Sequence, residues 1–333
     1  MLEFEQAKQI EDLRKALSRQ QSATARAKAK TDALVEAVYQ AAHDASIMLG
    51  PPQIPDRPKK DRRKAREEVA LVHATDWQLG KKTISYDIAS GEARIARFAE
   101  KIEELTEIQR AHHPVKRCTV MFGGDMVEGV SVFPGQAYEV DAHLFEQLFA
   151  TANLMQSFVA TLLGVFDSVD VVCEYGNHGR IGRRGDFPGS DNVDRMAYHI
   201  ASRGFADEDR VTWQESSDWH QIVTVGNYKA LLVHGDEIKS FGGNTPAFGI
   251  LRKCNSWSTG VVESFHDVYM GHFHTPMTLT MANGGQIFVS GSPESGNTYA
   301  AEFVAAKGKP SQRLHFIDPE GAQVAASYIV WLD

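Results

Sequence analysis

Apolar residues recur with two different periods along the chain, and the change of period divides it. In the first fifty residues Ile10, Leu13 and Leu17 fall at helical spacing, as do Leu34, Val35, Val38 and Ala42, so helix is expected there. The polar, Ala-rich SRQQSATARAKAK between the two stripes either extends one helix or joins two. GPPQIPDRPKKDRRKAREE follows. Its prolines break helix and stiffen the backbone, so it reads as a linker ending in a basic run. These features place a helical arm at residues 1–50, a linker at 51–66 and the main domain at 67–333.

From Val69 onward short apolar runs alternate with amphipathic stretches. VALVHATD, RCTVMFGGD and VDVVCEYGN read as strands that end in polar residues. GEARIARFAEKIEELTEIQRAHH carries Ile95, Phe98, Ile102 and Leu105 on one helical face. AHLFEQLFATANLMQSFVATLLGVF and NVDRMAYHIASRG are the next two helices. This alternation implies an α/β sheet with helices packed on it. After Val211 the texture changes. HQIVTVGNYKALLVHGD is a hairpin pattern around Gly-Asn, and TPAFGILRKCNSWSTG is a helix. DVYMGHFH, TPMTLTMANGGQIFVSGSP, RLHFIDPEG and AQVAASYIVWL add strands, so a mostly antiparallel second sheet is expected. Two sheets face to face with helices outside, a four-layer αββα sandwich, account for the whole domain.

Composition narrows the partners. At 43% hydrophobic and 23% charged residues, the 333-residue chain matches a soluble globular protein. Its formal net charge of -8 excludes a globally basic surface, so any nucleic-acid contact must be local. Cys118, Cys173 and Cys254 are too few and scattered for a disulfide framework or a thiolate metal site. The N-terminus is charged where a signal peptide is apolar, and no apolar run reaches membrane-spanning length. The expectation is a cytoplasmic protein with no membrane association.

Each strand of the α/β part ends in a polar cluster, where open α/β sheets place their sites. The clusters are Asp76-Trp77-Gln78, Gly124-Asp125, Gly176-Asn177-His178, His234-Gly235-Asp236 and Gly271-His272-Phe273-His274. Singly, each has an ordinary structural explanation. Asp76 and Asp125 suit caps or turns, Asn177 suits a left-handed turn, and His234 suits a buried, hydrogen-bonded histidine. His272 and His274 differ, because in an extended segment both imidazoles point to one side. Together the five clusters supply carboxylate, amide and imidazole donors without thiolate, a set that suits manganese, iron or zinc. Two divalent ions roughly 3.5–4 Å apart clamp the attacking and leaving oxygens of a phosphoryl transfer. Ions so close need a bridging carboxylate, and Asp125 is the candidate.

ALVHATDWQLGK, FGGDMVEG, EYGNHGR, LLVHGDE and MGHFHTP resemble the five motifs of calcineurin-like metallophosphoesterases over roughly residues 69 to 295. Within that superfamily VHATDWQLGK and VSGSPESG look most like SbcD-type DNA repair exonucleases. The resemblance implies the αββα metallophosphoesterase fold and two divalent ions, and the amide oxygen of Gln78 at the first site favours Mn2+ over Fe2+ or Zn2+. Asp76, Asp125 and His274 would bind the first ion. Asp125, Asn177, His234 and His272 would bind the second. His178 would contact the phosphate and protonate the leaving oxygen.

Three departures from the family pattern stand out. Gln78 occupies a position usually held by histidine; its amide oxygen ligates more weakly, or it only hydrogen-bonds a bound water. Gly179 follows His178 where an acidic residue is common, so another group, such as Asp186 or Asp191, would have to orient the imidazole. The extra mass lies at the N-terminus rather than in a C-terminal cap, so a partner ATPase is not assumed.

Arg180, Arg183 and Arg184 in the loop after His178 are candidate phosphate contacts, against the reading of a solvated loop. The basic run in 51–66 is either a phosphate grip or a solvated linker. The N-terminal helices either form a homo-oligomer or pack on their own domain. DNA is the expected substrate of a metal-dependent phosphodiesterase. The alternatives are small substrates (cyclic nucleotides, nucleotides or phosphoproteins) and a non-catalytic scaffold with a degraded site.

Overall fold

The computed structural model describes residues 49–333 except 134, 183, 186, 240–245 and 297–307, together with scattered positions between 15 and 47. The chain divides into two compact units, Met1–Met48 and Leu49–Asp333. The described positions between 15 and 47 are helical. The apolar stripes expected there, from Ile10 to Ala42, fall outside the described residues.

Residues 51–66 cluster with the second unit, and side-chain bonds tie them along it. Pro55 O accepts from Arg210, Arg63 donates to Arg110 O at 2.6 Å, and Arg66 pairs with Asp318 at 2.6 Å. Two arginines of the basic run are thereby engaged by the domain itself.

The first sheet is built on parallel strands β1 (Glu68–Ala74), β2 (Val115–Gly123), β3 (Ser168–Glu174) and β4 (Val211–Glu215). The chain's last strands, β10 (Ser311–Asp318) and β11 (Gln323–Trp331), extend this sheet, β10 antiparallel to β1 and β11 antiparallel to β10, in the order β11-β10-β1-β2-β3-β4. The second sheet runs β5-β6-β7-β9-β8, formed by β5 (His220–Val225), β6 (Tyr228–Val233), β7 (Asp267–Met270), β8 (Met277–Thr280) and β9 (Gln286–Val289). It is mixed rather than mostly antiparallel. The β5–β6 and β8–β9 pairs are antiparallel, whereas β6, β7 and β9 run parallel. The reason is local: hairpin periodicity identifies adjacent pairs, but the chain from β6 to β7 includes a helix, and a crossover of that length makes a parallel pair.

Alternation along buried strands assigns the layers. Val69, Leu71, Met121, Val172 and Ile317 of the first sheet meet Val223, Tyr228, Leu232, Tyr269 and Phe288 of the second in one buried cluster. The opposite face of β2 turns Phe122 toward Phe158 of α2 (Leu144–Leu163) and Tyr198 of α3 (Val193–Arg203). Phe158 also stacks on Phe98, which belongs to the helix Ile88–Arg110, called α1. Outside the second sheet, Ile250 and Cys254 of α4 (Ala247–Ser256) pack with Leu231, Val233, Val268 and Val289. The αββα layering expected from the sequence is therefore present. All three cysteines are free and buried. Among the described residues, no helix is long and apolar enough to cross a membrane.

Candidate metal centre

The parallel strands deliver their polar ends to one place. Asp76 follows β1, Asp125 follows β2, Asn177 follows β3, His234 follows β6, and His272 and His274 follow β7. The chain must turn sharply at each end. Asp76, Gln78, Asp125, His272 and His274 all have left-handed backbone, with φ between 44° and 66°. Among the described residues the one further non-glycine residue of this kind, Ala322, lies in the β10–β11 turn. Such backbone costs of order 1–3 kcal/mol per residue and persists where surrounding structure over-determines it. The segment 271–274 is thus not an extended strand, and its two imidazoles part company.

His272 joins Asp125 and His234, whose ligand atoms all lie within 4.8 Å of one another. His234 Nε2 stands 2.9 Å from Asp125 Oδ2, and its Nδ1 is anchored on Gly123 O at 2.8 Å. Asn177 Oδ1 is buried without a hydrogen-bond partner among the described residues, and His234 Nε2 makes no aligned hydrogen bond. A buried amide oxygen left open in this way suits a divalent cation, which would satisfy it.

His274 goes the other way. Its Nε2 lies 3.3 Å from Asp76 Oδ1, and its Nδ1 is 3.0 Å from Glu294 Oε2. The Asp76 carboxylate also accepts from the His272 backbone N at 2.9 Å. Beneath it, Ser292 Oγ donates to Asp76 O at 2.7 Å and accepts from Glu294 N at 2.9 Å. The SGSP segment thus buttresses the first strand's loop.

His178 has its own anchor. Its Nδ1 lies 2.8 Å from Glu128 O and 3.2 Å from Glu128 Oε2, and Gln136 Nε2 stands 3.3 Å from the same nitrogen while donating to Glu128. Among the described residues, the carboxylates within 4.0 Å of the His178 ring are Asp125 and Glu128. Glu128, not Asp191, is the carboxylate that stands against His178 Nδ1, and Asp186 lies outside the described residues. Gly179 has a steric cause: a Cβ there would stand 2.1 Å from Asn192 Oδ1, the oxygen that caps α3.

Charge explains the imidazoles. Burial would lower His178, but the Asp125 and Glu128 carboxylates raise it to about 9. Burial likewise opposes His274, which Asp76 and Glu294 bring to about 10. His272 is lowered to about 4 by burial and by the charge of His234. The carboxylates thus favour positive charge beside them, and a divalent ion would compete with protons for that place.

Gln78 and Lys81 complete the centre. Gln78 Nε2 lies 3.3 Å from His178 Nε2 and 3.4 Å from His274 Nε2, while Gln78 Oε1 accepts from Lys81 Nζ at 3.3 Å. Lys81 is buried and pairs with Glu294 at 3.3 Å.

No family model matches the sequence, and no curated protein matches it. Among solved structures the chain is similar to Vps29 of Entamoeba histolytica complexed with Zn2+, at 12% identity and a TM-score of 0.33, covering 79% of this chain and 99% of that one. It is also similar to a predicted phosphoesterase of Streptococcus pneumoniae, at 13% identity and a TM-score of 0.31, covering 80% and 99%. A third structure is the sulfate thiohydrolase SoxB of Thermus thermophilus in complex with glycerol, at 9% identity and a TM-score of 0.36, covering 84% and 58%.

The three candidate phosphate-contact arginines differ from one another. Arg180 is ion-paired with Asp236 and largely covered. Arg184 is exposed. Arg183 lies outside the described residues. Lys81, Glu128 and Glu294 were all present in motif segments, but nothing in their spacing announced a role.

Proposed function

We propose that this chain is a divalent-metal-dependent phosphoesterase whose centre lies at the ends of β1, β2, β3, β6 and β7. The observation that carries the reading is the set of anchored imidazoles. His178, His234 and His274 each hold Nδ1 on a carbonyl or carboxylate and turn Nε2 toward Asp125 or Asp76. Anchoring of this kind fixes the tautomer that leaves Nε2 available.

Asp125, Asn177, His234 and His272 would hold an ion, and Asp76 and His274 border the same cluster. The ion, when bound, polarises a phosphoryl oxygen and lowers the pKa of water. His178 presents Nε2 to the cluster while Glu128 holds the far side of its ring, an arrangement that supports a role as proton donor to the leaving oxygen. Manganese is the ion to test first among those that suit nitrogen and oxygen donors.

Within this reading, phosphodiesters of DNA are the proposed substrate. The support is the loop after His178, in which Arg184 is exposed and free to meet a polyanion. The test is hydrolysis of bis-p-nitrophenyl phosphate and of DNA in Mn2+, with Asp125→Ala as control. Both substrates should be cleaved, and the variant should lose activity and ion binding together. Cleavage of p-nitrophenyl phosphate alone would move the assignment to small monoesters. Failure with every ester and metal, with ion binding intact, would favour a scaffold.

A further inference from the structure

The position usually held by histidine in this kind of centre is where the chain departs most from the expected two-ion arrangement. A glutamine amide has one accepting side and one donating side. On one side of Gln78 stands Lys81, whose ammonium donates and never accepts. It takes Gln78 Oε1 at 3.3 Å. On the other side the amide nitrogen is 3.3 Å from His178 Nε2 and 3.4 Å from His274 Nε2. Turning the amide over, so that its oxygen met an ion, would set its N–H groups against the ammonium.

Lys81 is not free to leave. Its side chain is 8% exposed and pairs with Glu294, which is 2% exposed. Glu294 is itself held on His274 Nδ1 at 3.0 Å. Withdrawing the ammonium would strand a buried carboxylate. The Lys81–Glu294–His274 chain therefore locks the orientation of Gln78 from behind.

The other end of the centre shows no such obstruction. Asn177 Oδ1 is buried and unpartnered among the described residues, and Asp125, His234 and His272 converge beside each other.

We propose that the centre takes one tightly bound ion, at Asp125, Asn177, His234 and His272, and that the Lys81–Gln78 pair stands in for the second. Lys81 is a positioning residue: it fixes the Gln78 amide with its N–H groups toward the centre. Gln78 then offers the substrate's phosphate a hydrogen-bond donor where a second ion would otherwise sit. Lys81 adds a positive charge behind it. This inference rests on the metal-dependent reading above and limits the ion count within it.

The test is ion stoichiometry of the full chain with Mn2+ alone, by equilibrium dialysis with metal analysis and by electron paramagnetic resonance. One ion per chain is expected, with the hyperfine-split signal of an isolated Mn2+. Lys81→Met/Gln78→His should take a second ion and show a spin-coupled pair. Lys81→Met alone, which frees the amide to turn, should tighten the second ion by about tenfold or more. If the double variant does not fold, Gln78→His alone and the wild-type stoichiometry still decide. Two coupled ions in the wild-type chain would overturn the inference and leave the phosphoesterase reading standing. No ion in any of these proteins would overturn both.

Discussion

At the scale of single residues, the centre depends on groups that touch no ion position. Glu128 is fully buried, takes Gln136 Nε2 on one carboxylate oxygen at 2.9 Å and holds the His178 ring with the other. Glu128→Gln removes the charge but keeps the shape. Activity should fall about 10–100-fold, the usual cost of losing an orienting partner, with ion stoichiometry unchanged. Undiminished turnover on bis-p-nitrophenyl phosphate would show that His178 needs no carboxylate behind it. Restoring an acidic residue at 179 is no remedy, because a Cβ there meets the Asn192 oxygen.

At the scale of elements, one carboxylate joins two strand ends to a helix. Asp194, in the first turn of α3, accepts from the backbone N–H groups of Asp125 (2.9 Å), Met126 (3.0 Å), Val127 (3.1 Å) and Gly176 (3.0 Å). The loops after β2 and β3 are thereby held against each other, and Asp125 and Asn177 with them. Asp194→Asn turns one accepting oxygen into a donor facing two N–H groups. Leaving a buried group unsatisfied costs about 1–3 kcal/mol, so the urea midpoint should drop and Mn2+ should bind more weakly. A variant with wild-type midpoint and ion affinity would refute the tether.

At the scale of the whole molecule, stability should carry an acid signature from the layer between the sheets. His73 and His315 are fully buried, and none of their ring nitrogens has a hydrogen-bond partner among the described residues. Burial lowers His73 to about 3 and His315 well below its ordinary value, with Arg313 and His73 adding to the effect on His315. These groups stay neutral in the folded chain while the unfolded chain protonates them near pH 6.5. The unfolded state therefore binds more protons below that pH, and stability falls as pH drops. For His73 the loss continues down to about pH 3. Each such histidine costs on the order of 1.4 kcal/mol per pH unit within the window. His315→Phe should move the acid-unfolding midpoint, followed by circular dichroism, to lower pH. An unchanged midpoint would exclude His315 as a source of acid lability.

The order of strands, helices and polar strand ends was legible because each is a local pattern: period, glycine break and terminal polar cluster lie within a few residues. Asp76, Asp125, Asn177, His234, His272 and His274 could be picked out for that reason. Pairing across sheets was not legible. Nothing local tells β10 and β11 to join β1, or β6 and β7 to run parallel. The same holds for partners that act through distance in the chain. Glu128 lies fifty residues from His178, and Glu294 lies far beyond Lys81 in sequence. The amide of Gln78 has an orientation only once the Lys81 ammonium stands beside it. Residue chemistry and element period come from the sequence alone. Which buried donor faces which acceptor is decided when the sheets close, because only then does leaving one unpaired carry a cost.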